Sequence, residues 1–159
     1  MLSQELHYPS SRREHAAFWI SRKEGLFSVD GGEQSYWVHD DNLAVRVVAM
    51  RRDTNAAGDV FGGWVAAHMD LAASTTAEDR AGRKCATVAI DGLVFHRPMA
   101  VGDELNVYTR ILKVGRTSMT IEVEAIRRIR RTAIRQKVTQ GKFIFVALDD
   151  DGKPCAVDK

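Results

Sequence analysis

Residues 63–80 form an alanine-rich run without proline, and this run limits the possible folds more than any other feature. Its length and composition predict one long helix. Apolar or alternating runs around it predict strands at residues 43–50, 86–95, 104–114, 119–125 and 143–148. One helix with about five antiparallel strands predicts an α+β layered fold. One helix cannot cover both faces of such a sheet, and the continuous apolar run at 143–148 indicates burial on both faces. The sequence therefore predicts a second chain against the sheet.

A single carboxylate, Asp70, lies in the middle of the predicted helix. At 100° per residue, small side chains share its face. These are Ala66, Ala67, Ala73, Ser74 and Ala77. Such a face lets another backbone approach closely, so the pattern favours a carboxylate that lies against another part of the protein. The simpler alternative is a solvent-exposed carboxylate that the helix tolerates.

Two glycines, Gly62 and Gly63, stand at the start of the helix, after a polar loop. The first N–H groups of a helix have no partner within it, and glycine leaves them approachable. Free N–H donors one to two turns from a carboxylate suggest an oxyanion site combined with a base.

The loop and helix, DTNAAGDVFGGWVAAHMD at residues 53–70, resemble the signature of the hotdog-fold acyl-CoA thioesterases of the acyl-CoA hydrolase family. The resemblance continues in the family's order through VAIDGLVFHRPMAVGD, VGRTS and FIFVALDDDGKP. Ala57 stands where the family often has Asn, and Arg51 where it often has Pro; neither change removes the acidic residue. The resemblance implies a hotdog fold, in which a sheet wraps around one central helix. It also implies a homodimer with a continuous sheet, which can assemble further as a trimer of dimers.

The resemblance also implies a function, the hydrolysis of fatty acyl-CoA to free acid and coenzyme A without cofactor or metal. Asp70 would be the general base or the nucleophile, and the sequence does not choose between these roles. The N–H groups of Gly62 and Gly63 would hold the oxyanion. Asn55 and Asp59 would position water or thioester. In the family's arrangement they would face the Asp70 of the other subunit.

A Gly–Arg–Thr–Ser turn is the candidate site for coenzyme A. Its hydroxyl and N–H groups suit an anion, and in the family the corresponding turn lies near bound coenzyme A. The predicted contacts are Gly115, Arg116, Thr117 and Ser118.

The alternative function is a non-catalytic, acyl-CoA-binding hotdog regulator. Two features favour it, an N-terminal extension at residues 1–42 and a basic run. The simplest interpretation of the basic run is a solvated sheet edge that discourages edge-to-edge pairing. Its members are Arg127, Arg128, Arg130, Arg131, Arg135 and Lys137. The extension is predicted to pack its aromatic residues on the hotdog domain, residues 43–159, or on a neighbouring subunit; the alternative is a binding arm.

The remaining features exclude other classes of function. The net charge of +2 does not imply a nucleic-acid partner. HExxH, CxxC, GxSxG, P-loop and dinucleotide-binding motifs are absent, so neither a metal site nor a serine triad is predicted. His68 is interpreted as a packing or hydrogen-bonding residue. Two cysteines, no apolar signal region and no long apolar run predict a cytoplasmic protein without a membrane span.

Overall fold

The computed structural model describes residues 40–158, so most of the predicted N-terminal extension lies outside the described residues. The elements are α1 (Gly62–Ala81), β1 (Leu43–Val48), β2 (Cys85–Phe95), β3 (Glu104–Val114), β4 (Ser118–Arg128) and β5 (Arg135–Ala147). Short 3-10 turns lie at Asp40–Asn42 and Arg51–Asp53. The strands form one antiparallel sheet in the order β1-β3-β4-β5-β2. The predicted α+β architecture is confirmed.

The helix α1 lies against the sheet through its small residues. It contacts all five strands, and its buried positions are Val65, Met69, Ala72, Ala73, Ala77 and Ala81. Four of these six are alanine, so the helix axis can approach the sheet closely. The helix ends at Gly82, whose φ of 62° is left-handed and suits glycine.

The core lies between α1 and the inner face of the sheet. On β4 the predicted alternation is confirmed as far as Val123, with Met119, Ile121 and Val123 buried, but Glu124 is then buried together with Ala125. On β5, Phe143, Phe145 and Ala147 are buried, whereas Ile144 and Val146 are only partly buried. Within one chain this apolar run is therefore buried on one face only, and burial of the other face by a second chain stays a prediction. Successive side chains of a strand point to opposite faces, and α1 covers only one of them.

The basic run does not form a sheet edge, and that prediction is wrong. It surrounds the β4–β5 hairpin, and these are inner strands; the edges are β1 and β2. Two of its guanidinium groups make structural contacts. Arg127 donates to Gln136 at 2.6 Å, and Arg128 donates to both carboxylate oxygens of Glu104, at 3.1 and 2.8 Å. The hydrogen bonds from Arg128 hold the pKa of Glu104 below its usual value.

Asp103 organises the turn that precedes β3. Its side chain is buried, with 3% residue exposure. One oxygen accepts from the N–H of Ala100 at 3.1 Å, and the other accepts from the N–H of Arg130 at 3.0 Å. Arg127 forms an ion pair with it at 3.4 Å. Asp103 therefore ties this turn to the β4–β5 hairpin.

Replacing Asp103 with alanine is expected to lower the free energy of unfolding by about 3 kcal/mol, because two backbone donors and a guanidinium lose their buried acceptor. Urea denaturation at fixed protein concentration measures this change. The control is Asp79→Ala, which removes an exposed carboxylate from the last turn of α1. Equal stabilities for the two variants would contradict the structural role of Asp103.

The two described cysteines, Cys85 and Cys155, are free thiols. Burial raises the pKa of Cys85, so its thiol stays protonated at neutral pH. Within residues 40–158, no helix is long and apolar enough to cross a membrane.

Candidate active site

Asp70 is held in place by a threonine of the sheet. The carboxylate is partly buried, and its Oδ1 accepts a hydrogen bond of 2.7 Å from the hydroxyl of Thr87 on β2. This hydrogen bond fixes the orientation of the carboxylate. The other oxygen, Oδ2, has no hydrogen-bond partner among residues 40–158, so it can accept a hydrogen bond from water. Of the two interpretations drawn from the sequence, a carboxylate that lies against another part of the protein agrees with the structure.

Thr87 was not found by sequence reasoning. A threonine in a strand is common, because β-branched residues favour strands. What distinguishes Thr87 is its position on the edge strand β2, within hydrogen-bonding distance of Asp70. That position depends on how α1 crosses the sheet, and no local pattern reports it.

The start of α1 presents free backbone donors. Phe61 precedes the helix, and its side chain makes no capping hydrogen bond. Among the described residues, no group accepts a hydrogen bond from the N–H of Gly62 or Gly63. A Cβ on Gly62 would lie 3.3 Å from the ring of Phe95, whereas a Cβ on Gly63 would meet nothing within 4 Å. The ring of Phe95 therefore lies directly against the helix start.

The loop before the helix is shaped by Asn55. Its Oδ1 accepts from the N–H groups of Ala57, at 2.9 Å, and of Asp59, at 3.1 Å. Its own N–H donates to the carbonyl of Asp59 at 2.8 Å. Asn55 and Asp59 are thus neighbours, as expected, and the amide oxygen of Asn55 is occupied within its own loop.

The helix donors and Asp70 of one chain do not converge. Gly62 and Asp70 are eight residues apart on α1, which is about 12 Å at 1.5 Å per residue. A reacting carbonyl needs both the donors and the catalytic group within about 3 Å of its atoms. One helix therefore cannot supply both to a single carbonyl, contrary to the simple expectation from the sequence.

The Gly–Arg–Thr–Ser turn connects β3 to β4. The N–H of Gly115 donates to the carbonyl of Ser118 at 2.7 Å. The carbonyls of Arg116 and Thr117 accept from Val157 and Ala147, both at 2.9 Å. The backbone of this turn is therefore fixed from two sides, and the Arg116 side chain projects from it into solvent.

A cleft of about 240 Å³ lies beside the start of α1. Its lining is mostly apolar and consists of Val60, Gly62, Val65, Phe95, Arg97, Pro98, Met99 and Val138. The sequence did not predict it, because these residues come from the loop before α1, from α1, from β2 and the loop that follows it, and from β5.

Other candidate chemistry is accounted for structurally. His68 contacts the ring of Trp64, with centroids 4.2 Å apart, and its Nδ1 donates to the carbonyl of Trp64 at 2.8 Å. The interpretation of His68 as a packing residue is confirmed. Within the described part of the chain, no three His, Cys, Asp or Glu side chains are grouped as a metal site would require.

Comparisons with known proteins show the family of this chain. Residues 57–134 match the family model described as the thioesterase superfamily. An uncharacterized acyl-CoA thioester hydrolase of Zymomonas mobilis is 50% identical over 114 residues, covering 72% of this chain and 76% of that protein. The chain belongs to the thioesterase superfamily. The matched range contains Asp70, Thr87, the helix start and the Gly–Arg–Thr–Ser turn.

Two further members of the superfamily are similar to this chain. The acyl-CoA thioester hydrolase YciA of Escherichia coli is 39% identical over 123 residues, covering 76% of this chain and 93% of that protein. The crystal structure of the hexameric thioesterase y2039 from Yersinia pestis superposes with a TM-score of 0.70 at 40% identity, covering 72% of this chain and 94% of that one. A similar solved thioesterase is described as hotdog fold, so the predicted hotdog fold is confirmed.

Proposed function

We propose that this protein hydrolyses fatty acyl-CoA thioesters to the free acid and coenzyme A, with Asp70 as the catalytic carboxylate. The observation that carries the proposal is the hydrogen bond from Thr87 to Asp70, which leaves one carboxylate oxygen free at the sheet edge. The names of the relatives, acyl-CoA thioester hydrolases, support the same reaction.

The chemistry requires a carboxylate and an oxyanion site. As a general base, Asp70 takes a proton from water while the water oxygen bonds to the thioester carbon. As a nucleophile, it forms an anhydride that water then cleaves. In both routes the carbon–sulfur bond breaks and coenzyme A leaves as a thiolate. Thr87 acts as a positioning residue, because its hydroxyl donates a hydrogen bond to the carboxylate of Asp70.

The oxyanion donors come from a second chain in this proposal. Gly62 and Asp70 of one chain are separated by about 12 Å along α1, at about 1.5 Å per residue. This distance supports a second chain, because the two residues cannot reach one carbonyl. The edge strand β2 supports it too. Within residues 40–158 it pairs only with β5 and carries three exposed apolar residues, Val88, Ile90 and Val94, which suits pairing with the β2 of another chain.

The positions of the contacts on β2 suit a two-fold axis. Thr87, which holds Asp70, and Phe95, which lies against Gly62, are each four residues from Asp91. If two β2 strands pair antiparallel around Asp91, Thr87 of one chain lies opposite Phe95 of the other. Asp70 of one chain then approaches the Gly62 of its partner. We propose this homodimer and, because the Yersinia pestis relative is named a hexameric thioesterase, a hexamer built as a trimer of such dimers.

The first test of function is direct. The purified protein is incubated with palmitoyl-CoA and a thiol reagent, and release of the coenzyme A thiol is followed. We expect continuous, enzyme-dependent release. Binding of acyl-CoA without thiol release at any chain length would instead favour the regulator. The structure weakens one motive for that alternative, because Arg127 and Arg128 make structural contacts.

Arg116 is proposed as a contact of the coenzyme A phosphates. Arg116→Ala is expected to raise KM for acyl-CoA about tenfold with little change in kcat, because a phosphate contact acts equally in the ground and transition states. The control substrate is an acyl-pantetheine, which lacks the nucleotide and should show little effect. An equal loss on both substrates would remove Arg116 from the nucleotide site.

A further inference from the structure

We propose that the cleft beside the start of α1 binds the acyl chain of the substrate, and that Phe95 and Val138 set the chain length it accepts; this inference rests on the proposed function. The cleft begins where the reacting carbonyl would be held, because Gly62 both lines the cleft and carries a free N–H donor. The acyl chain attached to that carbonyl would therefore lie next to this apolar cleft.

The lining has the chemistry of an acyl site. Val65, Met99 and Val138 are buried and form the floor, while Phe95 and Pro98 are exposed and form the rim. Covering this apolar surface with an alkyl chain removes it from water, which lowers the free energy and so favours binding.

The charged residue of the lining does not oppose this assignment. Arg97 donates from its Nη1 to the carbonyl of Lys137 at 3.2 Å. Its guanidinium is therefore held by the backbone of β5, and its aliphatic stem can cover apolar surface.

The coenzyme A end of the bound substrate extends in the direction opposite to the acyl chain. Thr117 accepts from Ala147, and Ala147 pairs with Cys85 at the beginning of β2. The Gly–Arg–Thr–Ser turn therefore lies at the Cys85 end of the sheet, two strands from β2. The cleft lies at the opposite end of β2, at Phe95. In the proposed dimer, coenzyme A extends along the chain that supplies Asp70, and the acyl chain enters the cleft of the partner.

The size of the cleft limits the acyl chain. Its volume of about 240 Å³ is finite, so a long acyl chain fills it and extends beyond it. We expect kcat/KM to rise with chain length until the cleft is filled and then to level off, because further methylenes project beyond the cleft.

Two variants change the cleft in opposite directions. Phe95→Ala opens the rim, and it is expected to raise the ratio of kcat/KM for dodecanoyl-CoA over butyryl-CoA at least about tenfold. Val138→Phe fills the floor, and it is expected to lower the ratio for octanoyl-CoA over acetyl-CoA at least about tenfold. The matched control is Leu112→Ala on β3, outside the cleft, where the exposure is 42% against 44% for Phe95. It should leave both ratios unchanged.

Affinities for S-alkyl-CoA thioethers of increasing length provide a measurement that does not depend on catalysis. The same opposite shifts in chain-length preference are expected for these ligands. A folded Phe95→Ala protein whose affinities and rates change by one common factor at every chain length would overturn the assignment. Absence of wild-type hydrolysis, combined with shifted thioether preferences, would overturn the proposed function and leave the acyl site in place.

Discussion

Asp70→Asn is expected to lower kcat at least about 100-fold while the protein folds normally and binds acyl-CoA with near wild-type affinity. Asparagine keeps the shape of the side chain, and its amide oxygen can still accept the hydrogen bond from Thr87. It lacks the negative charge that a general base or a nucleophile needs. Binding energy that comes from the acyl chain and from coenzyme A should be unaffected.

The control for this prediction is Asp79→Asn, which neutralises an exposed carboxylate on the same helix. Thiol release from palmitoyl-CoA gives kcat, and thioether binding gives the affinity. Turnover within threefold of wild type in a folded Asp70→Asn protein would show that the reaction does not use this carboxylate.

Much of the fold could be predicted because its signals are local. The alanine-rich run at 63–80 became α1 at Gly62–Ala81, and the strand expected at 104–114 is β3. Helix length, strand alternation and turn glycines are encoded within short windows of sequence. The resemblance to the hotdog thioesterases added the arrangement of the sheet around the helix.

The order of the strands could not be predicted from local signals, and one interpretation failed for this reason. The basic run was assigned to a sheet edge, yet β4 and β5 are inner strands. For residues 143–148, α1 covers only the face of Phe143 and Phe145, so burial of the other face by a second chain stays a prediction. Which element lies beside which is a property of the whole chain.

The candidate site was predictable in part. Asp70, Gly62 and Gly63 were predicted from residue type and position on the helix, and their roles stay predictions. Thr87 and the cleft were missed, because Thr87 is 17 residues from Asp70 in sequence and the cleft gathers residues from five segments. The helix geometry adds a further constraint, since donors and carboxylate of one chain are too far apart to act together.

Mixing two inactive variants is expected to restore activity, because the proposed site combines Asp70 of one chain with Gly62 of another. The first variant is Asp70→Asn. The second is Gly62→Pro, which removes the N–H donor at the first position of α1, where proline fits the helix. The preceding Phe61, with φ −59° and ψ 131°, has the extended conformation that proline requires of its neighbour. Loss of one oxyanion donor is expected to lower kcat about 100- to 1,000-fold.

The matched control is Gly62→Ala, which adds a Cβ at the same position and keeps the N–H. That Cβ lies 3.3 Å from the ring of Phe95, a flexible side chain that can shift slightly. Gly62→Ala should therefore retain most of the activity, and the difference between the alanine and proline variants isolates the contribution of the N–H group.

The most direct test of the shared active site is the activity of a one-to-one mixture of Asp70→Asn and Gly62→Pro chains, refolded together. If chains assort randomly, a quarter of the sites take Asp70 from the proline variant and Gly62 from the asparagine variant. These sites are intact, so the mixed sample is expected to have about a quarter of wild-type activity. Differently tagged chains that co-purify would show that the variants have mixed. Activity at the level of the two parent variants in that mixed sample would contradict a shared active site, because each site would then lie within one chain.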